Sequence, residues 1–180
     1  IMSAPRPLVS AGPGLNLILA RWHGSRLPLE LRFDAAEVPT IAEAGVVGEV
    51  ELVGDVALAG RDIVVKMLFK LHTLEICSRT LDDFEQPLEV PVNLLLVKSK
   101  STKEVEWDDE NEEDTLHVKV PEEIRELDIA EMVRQAIELE RPLSPIKPGA
   151  PLPEGALPDD VPVERPADPR WDILRGLKEN

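Results

Sequence analysis

Between residues 48 and 59 the chain reads GEVELVGDVALA, which places Val50, Leu52, Val56 and Leu58 on one face and Glu49, Glu51, Asp55 and Ala57 on the other. Alternation of that kind is the period of a half-buried strand. The turn residues GRD at 60 to 62 follow, and then Ile63, Val65, Met67, Phe69 and Leu71 alternate with Val64, Lys66, Leu68, Lys70 and His72. The two runs predict a long antiparallel hairpin. A third run alternates through Leu88, Val90, Val92, Leu94 and Leu96, and a short fourth through Leu116, Val118 and Val120. Pro91 cannot donate a ladder hydrogen bond, so the third strand is expected to lie at an edge or to bulge there. Together the four runs predict a mostly antiparallel sheet or a partly closed barrel.

The period changes at LDIAEMVRQAIELERP, where Ile129, Met132, Val133, Ala136 and Ile137 fall on one helical face. A helix is expected over about 128–140, with Asp128 as its cap, Glu131 reaching back to it, Leu127 stapled onto Met132, and Pro142 as its stop. The fold class is therefore α+β, a sheet covered by one main helix. Nine of the chain's 17 prolines lie between 142 and 169. Each removes a donor and restricts its predecessor, so 141–167 reads as an extended strap lying along a surface. After it, Asp168 suits a helix cap and Pro169 the first turn, with Trp171, Leu174 and Leu177 forming an apolar stripe over 168–180. A helix so short cannot stand alone in water. The expected organisation is thus a core over 1–140, the strap, and a terminal helix whose stripe docks on its own body or on a partner.

Charge narrows the choice of partner. With 35 acidic residues against 20 basic ones, the formal net charge is -15. Binding to polyphosphate depends on cations that displace its counterions, so a nucleic-acid coat over this surface is not expected. Six aromatic residues, none a tyrosine, offer little for stacking bases. A local RNA contact has its candidates in the amino-terminal region, where Arg6, Arg21, Arg26 and Arg32 face only Glu30. The segment 104–114 carries eight acids and no base, and such density favours a solvated loop. Within it, Asp108, Asp109, Glu110, Glu112 and Glu113 are candidates for contact with a basic protein, because long-range attraction raises the rate of encounter. Clustered carboxylates can also hold magnesium for phosphodiester cleavage, which keeps a metal-dependent ribonuclease open as an alternative. The lone Cys77 forms no internal disulfide, so nothing calls for an oxidising compartment. One cysteine with His23, His72 and His117 makes no recognisable zinc set; no metal and no cofactor are expected.

Several stretches, in order, resemble the YceD family of large ribosomal RNA subunit accumulation proteins. They are the alternating region from Gly48 to Ile76, CSRTL at 77–81, LDIAEMVRQAIELERPLSP after the acidic loop, and the final DPRWDILRGL. The resemblance spans roughly residues 45 to 177. It implies a small non-enzymatic factor that supports accumulation of 23S ribosomal RNA, working with a ribosomal protein or the precursor of the large subunit. Its implied location is the bacterial cytoplasm or the plastid stroma. By resemblance, Cys77, Arg79, Asp168, Arg170, Trp171, Leu174 and Leu177 are motif residues that can meet a partner. Arg79 is expected to pair with a carboxylate, Asp82 and Asp83 being near, or to touch a partner phosphate. Many relatives carry a second cysteine where this chain has Thr80 and a cysteine pair just after the helix, a set resembling a zinc site. The segment 142–149 of this chain has no cysteine.

If the terminal stripe is buried on the protein's own body, Trp171→Ala should destabilise the monomer by about 3–5 kcal/mol, as for other buried large aromatics. Urea denaturation reads this directly, and unchanged stability with lost partner binding would assign the stripe to an interface instead.

Overall fold

The computed structural model describes residues 8–20, 22–107 and 114–152. The predicted hairpin is its centre. β4 (Val46–Ala59) and β5 (Asp62–Ile76) pair antiparallel from Ala59 opposite Asp62, with Gly60 and Arg61 between them. β6 (Asp83–Ser99) continues the sheet along almost the full length of β5. β3 (Leu27–Asp34) adds to the other side of β4, giving three antiparallel pairs in succession. Val50, Leu52 and Val56 are buried as their spacing predicts, whereas Leu58, at the hairpin tip, is exposed.

The fourth predicted run becomes β8 (Thr115–Pro121), which joins β6 in parallel, and β7 (Glu106–Trp107) pairs antiparallel beyond it. The six strands run β3-β4-β5-β6-β8-β7, an open sheet with β3 and β7 at its edges. The partly closed barrel is therefore set aside in favour of a two-sheet α+β arrangement with one main helix.

Pro91 resolves in an informative way. β6 keeps unbroken register with β5 through Leu68 opposite Pro91, so there is no bulge, and β8 pairs only from Asn93 onward. The first half of β6 is thus a local edge, pairing with β5 alone among the described residues. Pro87 and Pro91 sit there four residues apart. Prolines are tolerated in an unbroken ladder only where the missing N–H would point outward.

A second, smaller sheet covers the core, with strand order β1 (Val9–Ala11), β2 (Leu15–Ile18) and β9 (Glu126–Asp128). The apolar stretch at Leu15–Ala20 is largely this β2. Its Leu15 and Leu17 are fully buried; Leu17 faces Leu127 of β9, and the Leu15 carbonyl accepts from the Ile129 N–H just beyond it. α2 (Ala130–Glu140) follows β9 directly and buries Met132, Val133 and Ile137. One continuous core lies between these elements and the inner face of the large sheet, with Phe69, Leu94, Leu96 and Ile129 among its most enclosed side chains.

The entry to α2 differs from the predicted capping box. Ile129 occupies the cap position, while Asp128 accepts from the N–H of Ala130 at 2.9 Å and of Leu15 at 3.2 Å. One carboxylate therefore starts the helix and ties it to β2. Glu131 does not reach back; Arg134 and Gln135 take it as a surface partner. At the other end Arg141 is extended, as the residue before a proline must usually be, and the helix stops. A shorter α1 (Pro39–Ala42) buries Ile41 between β3 and β4 in chain order.

Close approach of β4 and β5 fixes one position absolutely. A Cβ added at Gly54 would lie 2.0 Å from the carbonyl oxygen of Lys66 and 3.0 Å from the Cα of Met67. Because backbone must shift to admit any side chain, Gly54→Val should cost at least the 1–3 kcal/mol typical of overpacking, roughly. Thermal unfolding of the variant checks this, with Val53→Ala as the neighbouring control.

Candidate functional site: a latched turn and an acidic sheet face

The inward row of β5 reads Leu71, Thr73, Glu75 and then Cys77, all buried. A carboxylate in that row must find a cation or lose its charge. Arg141, one residue past α2, supplies it: Nε donates to Glu75 Oε1 at 2.7 Å and Nη2 to Oε2 at 2.9 Å. Its third donor, Nη1, reaches the carbonyl of Ala44 at 2.9 Å. Gly45 lets the guanidinium in, since a Cβ there would stand 3.2 Å from Nη1 and its φ is +80°. The forked bond to Arg141 holds the Glu75 carboxyl below the ordinary carboxylate range, against the opposing effect of burial. The same contact raises Arg141. One side chain thereby joins the helix end, the sheet and the turn before β4.

Two residues on, the chain turns sharply. Leu81 N–H donates to the Cys77 carbonyl at 2.9 Å, and Cys77 N–H to that of Asp82 at 2.9 Å. Closing this turn puts Leu81 at φ +64°, in the left-handed region where a branched apolar side chain is uncommon. The segment after α2 crosses the turn and is bonded to it. Ser78 donates to the Pro145 carbonyl through its N–H at 2.8 Å and its hydroxyl at 3.0 Å, and the Lys147 N–H donates to Cys77 Sγ at 3.4 Å. The Cys77 thiol is lowered to about 6, first by the Thr80 hydroxyl and next by the Lys147 N–H, with burial opposing both. Thus the two places where the resemblance expects further thiols, position 80 and the segment after the helix, are the places Cys77 touches. Hydrogen bonds join them here, and no group of three or more metal-capable side chains occurs among the described residues.

Arg79 is half-buried beside this turn, and no salt bridge to Asp82 or Asp83 forms. The forked internal pair beside the turn is made by Arg141 and Glu75. Asp168, Arg170, Trp171, Leu174 and Leu177 lie outside the described residues, as do Asp108, Asp109, Glu110, Glu112, Glu113 and Arg21. Arg26 and Arg32 are described, and each is matched by acids of β4. Arg26 pairs with Asp55, and Arg32 with Glu51 at 3.2 Å and Glu49 at 3.8 Å. They do not form a free basic patch.

On the outward face of the large sheet, Arg32, Glu51, Lys70 and Glu89 stand opposite one another across β3 to β6. The β4–β5 register shifts between Val47 and Glu51, which opens a groove of about 500 Å³. Glu49, Glu51, Glu85 and Glu89 line it, with Lys70 as its lysine and His72 beside it. Sequence reading passed over this groove because its carboxylates come from β4 and β6, which are separated by β5. It also missed the Glu75 clamp, although an acid on the inward parity of β5 was a visible signal.

The family model for the large ribosomal RNA subunit accumulation protein YceD matches residues 65–178. The chain belongs to that family. The match begins within β5 and takes in the clamp, the Cys77 turn and α2, while β1 to β4 precede it. No curated protein and no solved structure matches the chain. Among the described residues no helix is long and apolar enough to cross a membrane.

Removing the cation from the clamp strands a buried charge, so Arg141→Ala should destabilise by about 3 kcal/mol near neutral pH, the low end for a broken buried pair because Arg141 is partly exposed. Glu75 has a depressed value in the folded state, so its contribution is full above the ordinary carboxylate value of 4.5 and is lost as pH falls through the folded one. Urea titrations of both proteins at neutral and acidic pH should show the difference shrinking in acid.

Proposed function

We propose that this protein supports accumulation of 23S ribosomal RNA as a binding factor, without bond-breaking chemistry, by holding a basic large-subunit ribosomal protein or a precursor particle. The observation that carries this reading is membership of the accumulation-protein family joined to a net charge of -15. The groove of Glu49, Glu51, Glu85 and Glu89 supports it, as does the acid-rich segment 104–114. Pairing of Arg26 and Arg32 with carboxylates argues in the same direction, since it offsets the charge that direct RNA binding would use. In this mechanism the acidic surface shields a basic protein from wrong RNA contacts until delivery to the assembling subunit. Its field would act chiefly on the rate of encounter.

Recovery of the native protein from lysate at low and high salt, with bound protein and RNA both identified, tests the reading. A basic large-subunit protein should be retained at low salt and lost several-fold as salt rises. Replacing Asp108, Asp109 and Glu110 by their amides should weaken retention without unfolding the sheet. Tight, specific binding of precursor 23S RNA by the purified protein, with no affinity for any basic large-subunit protein, would overturn it.

A further inference from the structure

Nine large apolar side chains are exposed among the described residues, and seven of them belong to the segments gathered around the Cys77 turn. Leu74 and Ile76 stand on the last outward positions of β5, and Leu81 projects from the turn at 77% exposure. Leu139 lies in the last turn of α2, and Leu143, Ile146 and Leu152 follow on the segment bonded across the turn. Leu81, Leu143 and Ile146, on segments held together by the Ser78–Pro145 bonds, with Leu74 and Ile76 on the adjoining end of β5, make an exposed apolar region of the kind that something covers. Leu81 sharpens the point. Its φ of +64° favours glycine or asparagine, yet a leucine holds the position and buries little of itself.

We propose that this end of the molecule is the docking surface for the chain's own terminal segment, residues 168–178. Three observations select that occupant. The described chain leaves from Leu152, within the exposed set, and only 15 residues separate it from Asp168. Fully extended at about 3.1 Å per residue, they reach roughly 45 Å, enough to turn back over the same end. A tether of that length also holds the segment at high effective concentration, which a free partner must exceed.

The third observation is charge. In the helix that the sequence predicts for 168–180, Arg170 and Lys178 would share the face of Trp171, Leu174 and Leu177, while Asp172 and Glu179 would fall opposite. The exposed end carries acids at Asp82 and Asp83 after the turn and at Glu140 on α2, beside Arg79 and Lys147 of the same segments. An apolar stripe with two cations would thus meet an apolar surface on which these acids outnumber the cations. This docking is independent of which macromolecule the acidic groove holds.

The full chain with Trp22→Phe and Trp107→Phe keeps Trp171 as its sole indole. Its emission should be blue-shifted from that of the urea-unfolded chain, protected from acrylamide, and independent of protein concentration. Leu81→Asn with Ile76→Lys should abolish most of the shift and the protection, whereas Leu58→Lys, at the far hairpin tip, should leave both unchanged. Circular dichroism verifies that the body stays folded. As a second reading of the same contact, cysteines placed at 81 and 174 should oxidise to an intramolecular disulfide faster than cysteines at 58 and 174. The proposal is wrong if Trp171 emits as in the unfolded chain, if its protection survives the paired substitution, or if protection disappears on dilution, which would make a second copy the occupant.

Discussion

A single guanidinium decides how the two ends of this fold meet. Arg141 spends its donors on Glu75 in the sheet and on the Ala44 carbonyl in the turn before β4, and it stands where α2 gives way to an extended chain. Both partners lie far away in sequence, so the clamp forms only once sheet and helix have come together. Its geometry then sets the direction in which the following residues leave. Because they leave toward the Cys77 turn, Ser78 and Cys77 can bond Pro145 and Lys147. Charge pairing inside and hydrogen bonding outside act in series.

That series clarifies what became of the thiols expected from the family likeness. A zinc set would join the strand-end turn to the segment after the helix through metal–sulfur bonds. In this chain the two segments still face one another, with Cys77 Sγ receiving the Lys147 N–H and Thr80 beside it. The junction in this chain is made by hydrogen bonds. Such a junction needs the preceding clamp more than a metal-tied one would, since individual neutral hydrogen bonds contribute only modestly.

Much of the large sheet was legible because strand parity is a strong signal. The alternation from Val50 to Leu71 placed the hairpin correctly, and the 3.6-residue period from Ile129 to Ile137 placed α2. Parity misleads where geometry is local: Leu58 follows the inward pattern but lies at a hairpin tip beyond the core. The amino-terminal strands are short or interrupted by turns and were not predicted, although Leu27, Leu29, Leu31 and Phe33 alternate plainly within β3. Parallel addition of β8 to β6 could not be read at all, since apolar spacing carries no information on strand direction. Of the site, Cys77 was found as a motif residue, but Lys147, which donates to it, lies 70 positions away, and Pro145 lies 67 from Ser78. The groove required knowing which strands adjoin.

The prolines of β6 have a consequence for how such a protein behaves in a crowded cell. An uncovered strand of this length invites another polypeptide to zip alongside it, and extended β-proteins stack into insoluble ribbons by that route. With ring nitrogens at Pro87 and Pro91 in place of two outward donors, an approaching backbone finds alternate rungs missing. Intruding strands gain too few bonds to stay. Long sheets and solubility are reconciled by two imino acids, at no expense to the ladder on the opposite side.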